Sequence, residues 1–277
     1  MRVAVVGHVE WIEFARVERM PAAGEIVHAR EAWEEPGGGG AVAAVQLARL
    51  AGECLLLTAL GDDALGHRAK RELEALGVRV EAGWRERPQR RAFVHIDGSG
   101  ERTITVIGSR VGPAREDRLP WDELRAADGI YFTAGDPGAV RAARAARRLV
   151  ASVRARDALA RAGVELDALV SSAKDEGERY TPGEIEPPPR AVVRTAGAAG
   201  GSLLAADGRE LRWAAASLPG PPVDSYGAGD SFAACLTYAL ADDRPAEAAL
   251  ELAARCGASA MTGRGPYRGQ LTADRAG

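Results

Sequence analysis

Asp224-Ser225-Tyr226-Gly227-Ala228-Gly229-Asp230 runs straight into an apolar stretch, 231–240, whose pattern predicts a helix. The two glycines let the backbone approach a ligand closely, and a helix start offers unpaired N–H groups with positive dipole character. That combination is an anion cradle. Asp230 falls in the first helical turn, where a carboxylate beside a bound anion could take a proton from an attacking hydroxyl. The plainer alternative is a turn in which the glycines only reverse the chain and Asp230 caps the helix. The local residues leave both open.

Working outward, residues 2–6 read as a buried strand ending at Gly7. Pro36-Gly37-Gly38-Gly39-Gly40 opens a helix over 41–50, 55–60 is strand-like, and a charged helix over 64–76 stops at Gly77. Short strands are expected at 130–132, 166–170 and 191–194, with a hairpin of 202–205 and 210–213 around Asp207-Gly208. Residues 138–162 read as one Ala/Arg helix with a solvated basic face. Two helices, from about Ala228 and Ala246, close the chain. Such alternation predicts an α/β fold, a mostly parallel sheet with helices on both faces, as a single domain over 1–277. Segments 10–35 and 85–107 do not fit the alternation. The second contains a hairpin, 93–96 and 103–107, around Asp97-Gly98-Ser99-Gly100. Together they predict a small β lid.

The 277 residues carry 36 basic and 39 acidic side chains, a net charge of −3, with 46% hydrophobic residues. This excludes a disordered or fibrous chain and shows no electrostatic footprint for nucleic acid. Cys54, Cys235 and Cys256 lack CxxC spacing and read as reduced core thiols. The four histidines are scattered singly, so a structural zinc site is not expected. No run approaches the ~18 apolar residues that a membrane span needs, and the first segment is too short for a signal peptide. The expectation is a cytoplasmic protein whose partner is a small-molecule substrate, with no nucleic acid and no membrane.

The 224–230 segment resembles the C-terminal signature of the ribokinase-like carbohydrate kinases, the phosphofructokinase-B family. Further likenesses follow in family order. Residues 37–50 are similar to its Gly-Gly signature, Leu60-Gly61-Asp62-Asp63-Ala64-Leu65-Gly66 to its Gly-Asp-Asp-x-x-Gly turn, and Gly100-Glu101-Arg102-Thr103 to a recurrent hairpin end. Thr195-Ala196-Gly197-Ala198-Ala199-Gly200 resembles its nucleotide-edge loop. The resemblance implies a ribokinase-like fold and ATP-dependent phosphorylation of a hydroxyl on a sugar-like substrate. It makes Asp230 the general base, and the amides of Gly227, Ala228 and Gly229 the anion hole. Thr195, Gly197 and Gly200 would border the nucleotide, and Glu10, Gly38 and Gly39 the substrate. It also implies Mg2+, and near the anion hole a monovalent cation such as K+, with Asp224 and the Gly263-Arg264-Gly265 loop in position for it. A homodimer through the β lid is a further expectation.

The sequence departs from the family pattern in three places. The Asn-x-Asp sugar-binding pair falls on Glu10 and Ile12, and Val42 stands where an Asn is usual. Isoleucine and valine cannot hold hydroxyls, so plain ribose and fructose should be poor substrates. Glu10 then either contacts the true acceptor or pairs with an arginine of the lid. The Asn-x-x-Glu magnesium motif reads Ser171-Ser172-Ala173-Lys174-Asp175-Glu176, leaving Glu176, or Asp175, as the carboxylate. A kinase-like regulator that binds a nucleotide or metabolite is the rival reading. Gly38-Gly39-Gly40-Ala41-Val42-Ala43 satisfies Gly-x-Gly-x-x-Ala but lies thirty residues past the first strand, where a dinucleotide fingerprint does not belong.

Overall fold

The computed structural model describes residues 1–276. The first half of the chain runs β1 (Val3–Val6), β2 (Glu10–Arg16), β3 (Glu31–Gly37), α1 (Gly39–Ala51), β4 (Cys54–Gly61), α2 (Ala64–Ala75), β5 (Val78–Arg85), β6 (Arg91–Ile96) and β7 (Arg102–Ile107). The second half runs β8 (Gly129–Phe132), α3 (Pro137–Ala143), β9 (Arg148–Ser152), α4 (Arg156–Ala162), β10 (Ala168–Ser172), β11 (Ala191–Thr195), β12 (Gly201–Ala205), β13 (Glu210–Trp213), α5 (Ala228–Ala241) and α6 (Ala246–Ala260).

All four residues of β1 are buried, as a strand covered on both faces requires. Because side chains alternate, Val3 and Val5 join one apolar cluster while Ala4 and Val6 join another. The first cluster takes in α1, α2, α5 and α6, and the second takes in α3 and α4. Between them lies a nine-stranded sheet in the order β13-β12-β11-β10-β9-β8-β1-β4-β5. It is parallel from β5 to β11, and β12 and β13 return antiparallel at one edge. The α/β class and the helices on both faces are as expected.

Residues 138–162 are not one helix. The chain breaks after α3, enters the sheet as β9 between β8 and β10, and resumes as α4. Leu149, Val150 and Ala151 are wholly buried, and a strand covered on both faces has no alternation to display. Alanine and arginine, both strong helix formers, hid it. β5 was likewise not anticipated; it pairs along the whole of β4.

A second, four-stranded sheet has the order β3-β2-β6-β7, built from the two segments that broke the alternation. It is mixed, since β2 and β6 pair in parallel. Its strand β2 contributes Ile12 and Phe14 to the core from one face and Trp11 from the other, while every residue of β7 is exposed. Phe14 stacks on Trp33 at 4.8 Å and meets Tyr226 edge-on at 5.3 Å, tying this sheet to the 224–230 turn. At the β6–β7 hairpin, Arg102 Nη1 donates to Ser225 O (3.1 Å) and Oγ (2.9 Å). Among the described residues, no helix is long and apolar enough to cross a membrane.

Candidate active site

The carboxyl ends of β1, β9, β10 and β11 open on one edge of the sheet, where open α/β sheets bind ligands. Onto that edge α5 points its N-terminus. Gly227 caps it at φ +79°, a left-handed conformation, and a Cβ there would press on Val42 Cγ1 at 2.9 Å. Only glycine suits both demands. No side chain caps the helix, and a Cβ on Gly229 would meet nothing within 4 Å. The Ala228 amide makes only a long 3.5 Å contact to Ser225 O at this helix start.

Asp224 holds this turn in shape. Its Oδ1 accepts from Tyr226 N at 2.8 Å and its Oδ2 from Gly265 N at 3.0 Å. Its burial raises the carboxyl pKa. The Tyr226 hydroxyl accepts from Gly38 N at 3.0 Å, which joins the turn to the start of α1.

Asp230 and the residues after β1 border one space. A Cβ on Gly39 would sit 2.8 Å from Asp230 Oδ1, and one on Gly38 would meet His8 Cδ2 at 3.1 Å and Glu10 Cγ at 3.2 Å. The enclosing walls desolvate the Asp230 carboxyl and Glu178 adds like charge, against the pull of Arg154 and Arg102. Together they push its pKa to about 6. A carboxylate so poised accepts a proton near neutral pH better than an ordinary aspartate. His8 is buried and neutral, with burial and nearby arginines lowering its pKa, and its Nε2 accepts from Gly39 N at 3.4 Å. Glu10 is 7% exposed and lies 2.8 Å from Arg90 Nε, so it does pair with an arginine beside the lid. Burial raises its pKa in spite of Arg90, Arg110 and Arg154. Ile12 and Val42 are wholly buried and offer the space no polar atom. Trp11 is packed too, donating its Nε1 to Glu34 at 2.9 Å.

On the other side of α5, Thr195 Oγ1 donates to Ser171 O at 3.2 Å, and Gly197 and Gly200 adopt φ +60° and +77°. Lys174 lies along Gly197, where a Cβ would be 2.9 Å from its Nζ. A side chain at Gly200 would collide with Trp213, whose ring stacks on Phe232 of α5 at 5.6 Å. A groove of about 540 Å³ adjoins this loop, lined by Trp213, Ala214, Ser217, Leu250 and Ala254 among others.

Glu176 is not brought to the site. Its side chain is 96% exposed, and its ion-pair partner is Arg179 at 4.0 Å. The short 3-10 turn Glu176–Glu178 presents Glu178 instead, which accepts from Arg154 Nε at 2.6 Å and raises the pKa of Asp230. Asp175 also pairs with Arg154. Sequence reasoning missed His8, Arg90, Arg110, Arg154, Lys174, Glu178 and Trp213. Arg154 was hidden by the unseen β9, because a helix over 138–162 places it on a solvated face. Among the described residues, no group of three or more His, Cys, Asp or Glu is arranged to hold a metal ion.

The profile of the family described as pfkB family carbohydrate kinase matches residues 1–156 and 162–273. A protein of Halopiger xanaduensis named ATP-dependent ribose-1-phosphate kinase is 32% identical over 304 residues, covering 99% of this chain and 96% of its own. Among solved structures, the ribokinase of Thermotoga maritima superposes with a TM-score of 0.78 at 20% identity, over 100% of this chain and 98% of that one. The Arabidopsis thaliana ribokinase complexed with ribose and ATP gives 0.78 at 19% identity, over 99% and 97%.

Proposed function

The chain belongs to the pfkB family of carbohydrate kinases, and on that premise we propose that it transfers the γ-phosphoryl group of ATP to a sugar hydroxyl with Asp230 as general base. One observation carries the reading: a carboxyl with its pKa raised to about 6 stands in the first turn of α5, whose N-terminus no side chain caps. Phosphoryl transfer needs chiefly positioning and charge stabilisation, which this arrangement supplies. The acceptor hydroxyl loses its proton to Asp230 as its oxygen attacks the γ-phosphorus and the bond to the β–γ bridging oxygen breaks, releasing ADP, and the amides of Gly227, Ala228 and Gly229 stabilise the negative charge that develops. Gly38, Gly39 and Glu10 border the acceptor. Thr195, Gly197 and Gly200 border the nucleotide, and the groove beside Trp213 takes its base.

Two carboxylates that feel one another, Glu178 and Asp230, suit a magnesium ion held largely through water. When bound with the nucleotide, the ion would neutralise phosphate oxygens. A monovalent cation belongs to the same reading. Asp224 and Glu35 flank Gly265, and the Glu35 carboxyl is pushed to about 6 by burial, with the Asp224 charge adding to it. The edge strand β7 exposes Ile104, Val106 and Ile107, which supports pairing of this sheet with a second copy.

The name of the Halopiger relative makes ATP the donor to try first and puts ribose 1-phosphate beside ribose in the acceptor panel. The test is ADP release from ATP and Mg2+ over sugars, sugar phosphates and nucleosides, with thermal shift on ATP alone. Turnover with at least one acceptor, and a melting temperature raised by ATP, are expected. Failure to release ADP with any acceptor, together with a flat melting profile to millimolar ATP, overturns the reading.

A further inference from the structure

We propose that Arg90, Arg110 and Arg154 form an anion subsite at the end of the acceptor pocket away from Asp230, and that the acceptor arrives with a phosphate already on it. The proposal rests on the kinase reading above and names its substrate class.

The three guanidinium groups come from separate segments. Arg90 precedes β6, Arg110 follows β7 and Arg154 follows β9. All three charges act on both His8 and Glu10, which places them around the residues after β1. Of the three, Arg110 is the one that no ion pair among the described residues compensates. Arg90 is 11% exposed and meets Glu10 at 2.8 Å, but its buried Nε–H is angled away from any acceptor and makes no hydrogen bond. Arg154 is held by Glu178 and Asp175. Arg110 has no carboxylate within 4 Å among the described residues; its Nη1 makes only a 3.4 Å contact to Arg154 O. The positive charges of Arg90 and Arg154 lower its pKa further than enclosure alone does. Glu10 is the one acid that offsets Arg110, and burial itself pushes Glu10 towards neutrality.

Like charges gathered this way repel unless an anion lies between them, and guanidinium forks fit phosphate oxygens two at a time. Position separates this anion from the phosphoryl group in transit. Arg154 pairs with Glu178, whose charge acts on Asp230, whereas Arg90 pairs with Glu10 and Arg110 Nη1 reaches Arg154 O at 3.4 Å. Arg154 therefore links the Glu178 side of the pocket to Arg110, and Arg90 stands on the Glu10 side. A pentose with its reacting hydroxyl at Asp230 and a phosphate on its other end fits that polarity.

The test is steady-state kinetics of the full chain with ribose 1-phosphate and with ribose at saturating ATP and Mg2+, in wild type, Arg110→Gln and Arg110→Lys. Arg110 is chosen because it is exposed and its replacement leaves the core intact. Wild type should favour ribose 1-phosphate, and Arg110→Gln should raise its KM by ~10–100-fold with kcat within about threefold. Arg110→Lys should fall between the two, and the KM for ATP should not move. Higher salt should raise the KM for ribose 1-phosphate and not that for ribose. Calorimetric titration with ribose 1-phosphate, without ATP, should show binding that Arg110→Gln weakens equally. An unchanged KM for ribose 1-phosphate in Arg110→Gln, or a rise confined to ATP, overturns the subsite. Brisk phosphorylation of ribose that Arg110→Gln leaves untouched also sinks it, while the kinase reading stands. Binding of ribose 1-phosphate that depends on Arg110, with no ADP released from any acceptor, upholds the subsite and removes the kinase.

Discussion

Residues 224–230 reach the cleft chiefly as backbone, a short unbroken run that leads into the start of α5, where no side chain caps the helix. The wall opposite is made of side chains, His8 and Glu10 after β1, Arg90 before β6, Arg110 after β7 and Arg154 after β9. The backbone wall needs glycine at set positions and is otherwise indifferent to what surrounds it. The side-chain wall depends on the two sheets meeting, since β6 and β7 belong to one and β9 to the other. A family can therefore keep its chemistry in the first wall and vary its acceptor through the second.

The strongest way to break this comparison is Asp230→Asn, where both walls meet. It should fold and bind nucleotide yet lower kcat by at least ~10²-fold, the usual loss for a general base. Wild-type activity should also fall as pH drops through about 6, where the Asp230 carboxyl takes up its proton. Turnover of the Asn variant near wild type would strip Asp230 of its role.

Gly39→Ala sharpens the seam. A methyl 2.8 Å from Asp230 Oδ1 must displace that carboxylate, and misplacing a reacting group by about 1 Å costs on the order of 10–100-fold in kcat. Stability should change little, since Gly39 begins α1 and has no positive φ. Unaltered kcat would show that the space beside Gly39 is not the reacting one.

Gly227→Ala tests the backbone wall alone. The left-handed φ and the contact with Val42 should destabilise the fold by about 1–3 kcal/mol, read as a lower midpoint in urea. No change in midpoint would mean the turn tolerates a side chain and is not held as drawn.

The smallest effect concerns stability and pH. The folded pKa of Asp230, about 6, lies above the ordinary 3.8, so folding favours the protonated form. That contribution is complete below about pH 4 and is lost as pH rises through 6. Asp230→Asn cannot lose it. Its melting temperature should match wild type near pH 4 and exceed it at pH 8, and a variant less stable at pH 8 contradicts the burial argument.

The sequence by itself determined the α/β alternation, the lid segments and the 224–230 cradle, because each is written in consecutive residues. Glycine spacing, a turn dipeptide or a helix start obeys local sterics and hydrogen bonding, which neighbours in the chain decide. Tertiary structure alone decided the rest. β9 showed no alternation because both of its faces are covered, a fact of layering and not of local pattern. Glu178, not Glu176, faces Asp230 because a 3-10 turn is anchored by Arg154 from the segment after β9. Arg90, Arg110 and Arg154 meet because the start of β6, the end of its antiparallel neighbour β7 and the end of β9 come together across the two sheets. Electrostatic neighbourhood depends on distance through space, and sheet order sets it where sequence separation does not.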